Sequence, residues 1–355
     1  MKHKLVLEDN SCFQGYSFGA ETPVSGEVVF NTGMVGYPEA LTDPSYKGQI
    51  LVLTFPLIGN YGVPGDERAD GIPKNFESDK IHISGLIITS YSDEYSHWNA
   101  KRSLGEWLKE QGIPALCGID TRALTKRLRE KGTMLGKIVF GDDVELVDPN
   151  TRNLVAEVSV DKPVEYGSGP RVVVVDCGVK YNIIRELIKR KLSVLRVPWD
   201  YDFTNECFDA LVISNGPGDP KMCSKTIANV KKSLDREKPT LGICLGNQIL
   251  ALAIGAETYK LKYGHRSQNQ PCIIAGTRKC FITSQNHGFA VDAKTLPEGW
   301  EEWWYNNNDK TNEGIRHKTK PFFSSQFHPE AYPGPDDTEF IFDEFAERIW
   351  KSQKK

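Results

Sequence analysis

The chain has 355 residues, 39% hydrophobic and 26% charged, with a formal net charge of −3, enough for two domains that each bury a core. Mixed signs leave no basic field for nucleic acid, and no apolar run is long enough to span a bilayer. The Met1–Glu8 start is too short in its apolar part for a signal peptide and turns acidic too early for a transit peptide, so the cytosol is the expected compartment.

Taken in chain order, Leu5–Phe18 reads as a hairpin turning at Asn10 and Ser11, followed by strand-like runs at Gly26–Asn31, Gln49–Phe55 and His82–Thr89. Ser103–Gln111 and Asp120–Lys131 have helical spacing, each stopped by a glycine. Met134–Phe140 is a further strand. Residues 1–150 are therefore expected to form a strand-rich α+β domain. Periodicity fades over 151–170, and Gly167-Ser168-Gly169-Pro170 is a breaker cluster, so this stretch is expected as a linker.

From 171 to 355 strands and helices alternate. Arg171–Asp176 is a valine run suited to a strand buried on both faces. Asn182–Lys191, Lys225–Arg236 and Asn247–Ile254 read as helices between strands at Leu192–Val197, Ala210–Ser214 and Thr240–Ile243. Strand-like segments follow at Gln270–Ile274, Lys279–Thr283 and Phe322–Phe327, then a helix over Glu339–Trp350. The fold class expected is α/β: a doubly wound, mainly parallel sheet.

The eight cysteines, Cys12, Cys117, Cys177, Cys207, Cys223, Cys244, Cys272 and Cys280, are scattered with no C-x-x-C pair. That excludes a disulfide framework or zinc knuckle from the expectation, and no metal site is assigned. Most cysteines read as small buried hydrophobes. Cys244 differs. In Gly242-Ile243-Cys244-Leu245-Gly246 an apolar strand runs through a glycine-flanked turn into a helix. That is the logic of a nucleophile elbow, with the sulfur at a helix N-terminus and the Leu245 N–H available to an oxyanion.

His328-Pro329-Glu330 is by itself an ordinary surface turn. Paired with the elbow, it offers a base and a carboxylate to orient it; in extended chain the two side chains share a face. His287 is a rival base, in a stretch read as a polar loop from Thr283 to Phe289. The expectation favours a structural, hydrogen-bonded histidine there. Asn215-Gly216-Pro217-Gly218-Asp219-Pro220 follows a strand, where backbone can approach a ligand closely, and Gly216 is a second oxyanion donor. Gly132–Ile138 falls short of a phosphate-binding loop, and Asp176-Cys177-Gly178-Val179-Lys180 lacks dinucleotide glycine spacing. No ATP or nicotinamide site is expected in this chain, which has no cofactor of its own.

The elbow, the His-Pro-Glu triplet and the Asn215–Pro220 loop together resemble the class I (triad) glutamine amidotransferases. Gly26–Gly33, Gly36–Tyr46, Gly118–Arg122 and Ser284–Ala290 are similar to segments of the carbamoyl phosphate synthetase glutaminase family, so the resemblance spans essentially the whole chain. It implies a glutaminase with Cys244, His328 and Glu330 as catalytic residues. Glutamine would be bound by Ser45, Gly216, Gly218, Leu245, Gln248, Asn286, Gly288 and Phe289. Ser45 would bring the first domain to the site. The implied partner is a synthetase large subunit or fused synthetase domain of the pyrimidine or arginine pathway, which alone would need ATP and magnesium. Ammonia-using relatives replace the nucleophile, and Cys244 is retained here. Two departures are visible: Ser267 where glycine is usual and Ser325 where valine is common. A partner-free γ-glutamyl hydrolase of the same fold and a non-catalytic docking or regulatory module are the alternatives.

Overall fold

A computed structural model describes residues 3–353; the ends of the Met1–Glu8 and Lys351–Lys355 segments lie outside the described residues. The chain folds as two compact units, Met1–Arg152 and Asn153–Lys355.

In the first unit seven strands close into a barrel in the order His3–Leu7, Met134–Val139, Val24–Asn31, Gln49–Leu53, Gly85–Ile87, Ala115–Cys117 and Cys12–Ser17. The expected hairpin is there, with Asn10 in the left-handed conformation (φ 65°) that a tight turn requires. Closure removes the free edges that so many short strands would otherwise expose. Alternation along the strands feeds two cores. Ile50 and Val52 point to one with Leu5, Val28, Leu124 and Leu128, whereas Leu51 and Leu53 point to the other with Val29, Trp107 and Leu108. The Leu104–Glu110 helix starts on a full capping box between Ser103 and Glu106. Asp120 caps the Thr121–Lys131 helix through Ala123 N–H.

In the second unit ten strands form one sheet. Five pair in parallel: Ser193–Pro198, Arg171–Asp176, Ala210–Ile213, Thr240–Ile243 and Phe322–Ser325. Their apolar runs are buried throughout. The helices Tyr181–Lys189 and Phe340–Gln353 pack together, as do Ser224–Ser233 and Leu245–Ala253.

The sheet is wider than the sequence suggests. Beyond Phe322–Ser325 it continues antiparallel through Asn312–His317, Trp300–Asn306, Glu257–Ile274 and Cys280–Asp292. The Thr283–Phe289 stretch, expected as a loop, is the middle of the last of these strands, with Asn286 opposite Arg266 and His287 opposite His265. From Thr283 to His287 the side chains are polar yet buried, so the apolar alternation that marks a strand is missing. Residues 151–170, expected as a linker, are also folded. Leu154 and Val155 are buried, and Val164–Tyr166 adds an antiparallel edge strand to Ser193–Pro198. Short 3₁₀ turns and a three-residue strand leave no periodicity to read.

Leu124 is fully buried beneath the barrel strands. Leu124→Ala is expected to destabilise the protein by about 2–5 kcal/mol, measured as the shift of its chemical-denaturation transition.

Candidate functional site

The Thr240–Ile243 strand ends at Cys244, whose φ of 54° and ψ of −103° turn the chain directly into the Leu245–Ala253 helix. A non-glycine residue held at such angles costs about 1–3 kcal/mol and persists only where its surroundings enforce it. Here the glycines enforce it. A Cβ on Gly242 would lie 2.5 Å from the Gly246 carbonyl oxygen, and one on Gly246 would lie 2.0 Å from that of Ile213. Cys244 N–H donates to the Ser325 carbonyl at 2.8 Å, tying the elbow to the neighbouring parallel strand. The Cys244 side chain is buried, and its Sγ approaches the Asn286 carbonyl oxygen at 3.6 Å.

Phe322–Ser325 is the strand beside the elbow, and His328 follows it. His328 N–H donates to the Ser284 carbonyl at 2.9 Å. Its Nδ1 donates to Glu330 Oε1 at 2.5 Å. The pair is made across a turn at Pro329 rather than in extended chain. The other ring nitrogen, Nε2, is buried and makes no hydrogen bond of good geometry among the described residues. Burial would lower the basicity of this ring. Glu330 and the adjoining Cys244 thiol outweigh it and lift the histidine to about 10. Burial likewise pushes the Glu330 carboxyl up, and Lys180 and His328 overcome that to hold it at about 2.

Lys180 is the residue the sequence reading missed. Its ammonium lies 3.1 Å from Glu330 Oε1 and donates to the Ala331 carbonyl at 2.5 Å, in a pocket that leaves the Lys180 side chain 4% exposed. It comes from the Asp176–Lys180 stretch set aside for lacking dinucleotide glycines. The available signal was its position, just past the carboxyl end of a central parallel strand. Asn182 adds a 2.5 Å hydrogen bond to the Glu330 carbonyl.

The other expected site residues fall as follows. Gly216 lies so near the Cys177 carbonyl that a Cβ would sit 2.0 Å from its oxygen and 2.9 Å from Leu245 Cδ2. Gly218 has φ +83° and faces Leu154. Leu245 is the first residue of the helix, where N–H groups have no intrahelical partner. Gln248 donates through Nε2 to the Phe289 carbonyl at 2.9 Å. Asn286, Gly288 and Phe289 lie on one strand, Cys280–Asp292. Ser45 belongs to the first unit, on the Pro44–Tyr46 turn, where its N–H donates to Asp43 at 2.9 Å.

His287 is buried with Nδ1 against the Phe289 carbonyl (2.8 Å) and Nε2 against Gln285 Oε1 (3.2 Å). Burial and the neighbouring His265 push its pKa well below the ordinary value. It is a structural, hydrogen-bonded histidine. His265, His287 and Glu313 bring metal-ligand-type atoms within 4.8 Å of one another, a grouping the sequence did not suggest. His265 is contacted by two carboxylates, Asp309 at 2.7 Å and Glu313 at 3.3 Å. Burial lowers its pKa, but Asp309 and Glu313 more than compensate and raise it to about 9. A protonated His265 thus balances the charge of this group.

Comparison with known proteins follows the same division. Residues 5–138 match the family model described as the carbamoyl-phosphate synthase small chain, CPSase domain, and residues 173–348 match glutamine amidotransferase class-I. The chain carries a carbamoyl-phosphate synthase small-chain domain followed by a class-I glutamine amidotransferase domain. It is 59% identical over 352 residues to multifunctional protein CAD of Squalus acanthias, covering 97% of this chain and 16% of that one. Multifunctional protein pyr-3 of Neurospora crassa is 53% identical (98% of this chain, 21% of that one). The mitochondrial carbamoyl-phosphate synthase [ammonia] of Aquarana catesbeiana is 54% identical (98% and 24%). The chain therefore spans a quarter or less of the length of these curated relatives.

The His265 group carries a stability prediction. Its folded pKa of about 9 exceeds the ordinary 6.5, so its contribution is full below pH 6.5 and is lost as pH rises through about 9. The stability gap between the wild type and His265→Gln is expected to be widest in acid and to narrow above about pH 9, as read from thermal unfolding across pH.

Proposed function

We propose that this chain is the glutaminase part of a glutamine-hydrolysing carbamoyl-phosphate synthase. The observation that carries the reading is the buried His328–Glu330 pair, 2.5 Å apart, beside a cysteine held at a strand–helix elbow. Cys244, with the proton held on His328 Nε2, attacks the side-chain amide carbon of glutamine through its sulfur. The oxyanion is met by the N–H groups of Leu245 and Gly216. Glu330 favours this imidazolium. Its proton goes to the nitrogen as the C–N bond breaks, releasing ammonia and leaving a γ-glutamyl thioester. Water, deprotonated by His328, then attacks the thioester, and glutamate leaves as the sulfur is released beside the protonated His328. Gln248, Asn286, Gly288 and Phe289 form the glutamine-binding wall, with Gly218 in the facing loop.

The ammonia serves a synthetase subunit or a synthetase domain of the same polypeptide, which alone binds ATP and magnesium. The chain lengths of the relatives support the fused arrangement. No described helix is long and apolar enough to cross a membrane, and we assign the cytosol as the working compartment.

In the full-length protein, Cys244→Ser is expected to lower glutamine-dependent ammonia release by about a thousandfold or more, while carbamoyl phosphate formation from added ammonia survives. Unchanged glutamine hydrolysis in that variant would sink the reading, and loss of both activities would point to misfolding rather than chemistry. Lys180→Met removes the ammonium that holds Glu330 at about 2. Burial then drives the carboxyl upward, so the acid limb of the kcat/KM profile is expected to move to higher pH. A limb that stays in place would count against Lys180 as the group that keeps Glu330 charged.

A further inference from the structure

We infer that Gln326 is a positioning residue that, together with the Phe289 carbonyl, holds the Gln248 side-chain amide with its oxygen toward the ligand; the inference rests on the glutaminase reading above.

The Gln248 amide can be oriented without ambiguity. Phe289 O is a backbone carbonyl and only accepts, so the group facing it at 2.9 Å is the Gln248 NH₂. The same NH₂ donates to Gln326 Oε1 at 3.1 Å. Gln326 Oε1 also accepts from Asn247 Nδ2 at 3.1 Å, and Asn247 Oδ1 accepts from Ser324 Oγ at 2.8 Å. Both Gln248 donors are thus spent on the protein. Its Oε1 makes no hydrogen bond among the described residues, and that acceptor is the end left for a ligand. Gln248 therefore reads a donor on the substrate, an ammonium or an amide N–H, and offers it no donor in return.

Gln326 holds this arrangement at a cost. It is fully buried, and its own Nε2 has no hydrogen-bond partner among the described residues. A buried donor left unmade is unfavourable, so what the side chain contributes is its acceptor. Its place in the chain gives that acceptor leverage. Gln326 N–H is pinned to the Glu313 carbonyl at 2.8 Å, two residues before His328. Asn247 and Gln248 are the third and fourth residues after Cys244's strand turns into its helix. One carbonyl oxygen thereby ties the nucleophile's helix to the segment carrying the base.

The test is glutaminase kinetics on the full-length protein with a double-mutant cycle. Q326L removes the acceptor, and the Gln248 amide is then held by the Phe289 carbonyl alone, with one of its N–H groups left unpaired. KM for glutamine is expected to rise about tenfold, with kcat changed much less. Q326E restores an acceptor oxygen and is expected to bring KM back near the wild-type value. In a Q248A background Q326L should add almost nothing to KM, because it acts through Gln248. An unmoved KM in Q326L, a full additional effect in the Q248A background, or equal loss in Q326L and Q326E would each overturn the inference. If Q326L does not fold, Q326N, one methylene short of both partners, enters the same cycle. An active wild type with these negative results defeats this inference alone; a wild type releasing no ammonia from glutamine defeats the glutaminase reading with it.

Discussion

Glu330 is a carboxylate with no exposed surface, and the arrangement of the site follows from keeping it charged. Burial alone would protonate it. An ammonium from Lys180 on one side and the imidazole of His328 on the other reverse that. Such a chain of alternating charges is stable only as a set, since removing one member strands the next in a low-dielectric setting. It also fixes the ring: with Nδ1 committed to Glu330, only Nε2 is left to exchange a proton with the sulfur.

Lys180, Cys244 and His328 arrive from separate elements, which is why the sheet matters. Lys180 follows the Arg171–Asp176 strand, Cys244 ends Thr240–Ile243, and His328 follows Phe322–Ser325. In a parallel sheet all carboxyl ends lie on one side, so the chain returns to the same rim each time. The antiparallel extension completes that rim. Ser284 pairs with His328, Asn286 accepts from Cys244, and Phe289 accepts from Gln248.

Much of this was legible in the sequence where a residue's role is local. The Gly242–Gly246 elbow needs small residues at fixed offsets, and the Asp120 and Ser103 caps are signalled by neighbours. The parallel strands announce themselves by unbroken valine and leucine runs. What sequence could not give were partners fixed by tertiary contact. Lys180 reads as a surface lysine until Glu330, 150 residues later, is placed against it. The Thr283–Phe289 strand reads as a loop because its polar side chains are satisfied inside the fold, by one another and by groups such as the Gln270 and Pro333 carbonyls. The barrel's closure and the fold of 153–170 rest on pairings between distant short segments that leave no periodic trace.

The clearance at Gly246, 2.0 Å between a notional Cβ and the Ile213 oxygen, has a consequence for how such a chain can change over time. A single methyl group there has no room, so drift at this corner is closed to even the smallest substitution. The sulfur itself is under no such constraint. Lineages can therefore discard the chemistry while retaining the bend that once served it, and an inactive descendant would still carry the contour of its former nucleophile in its backbone.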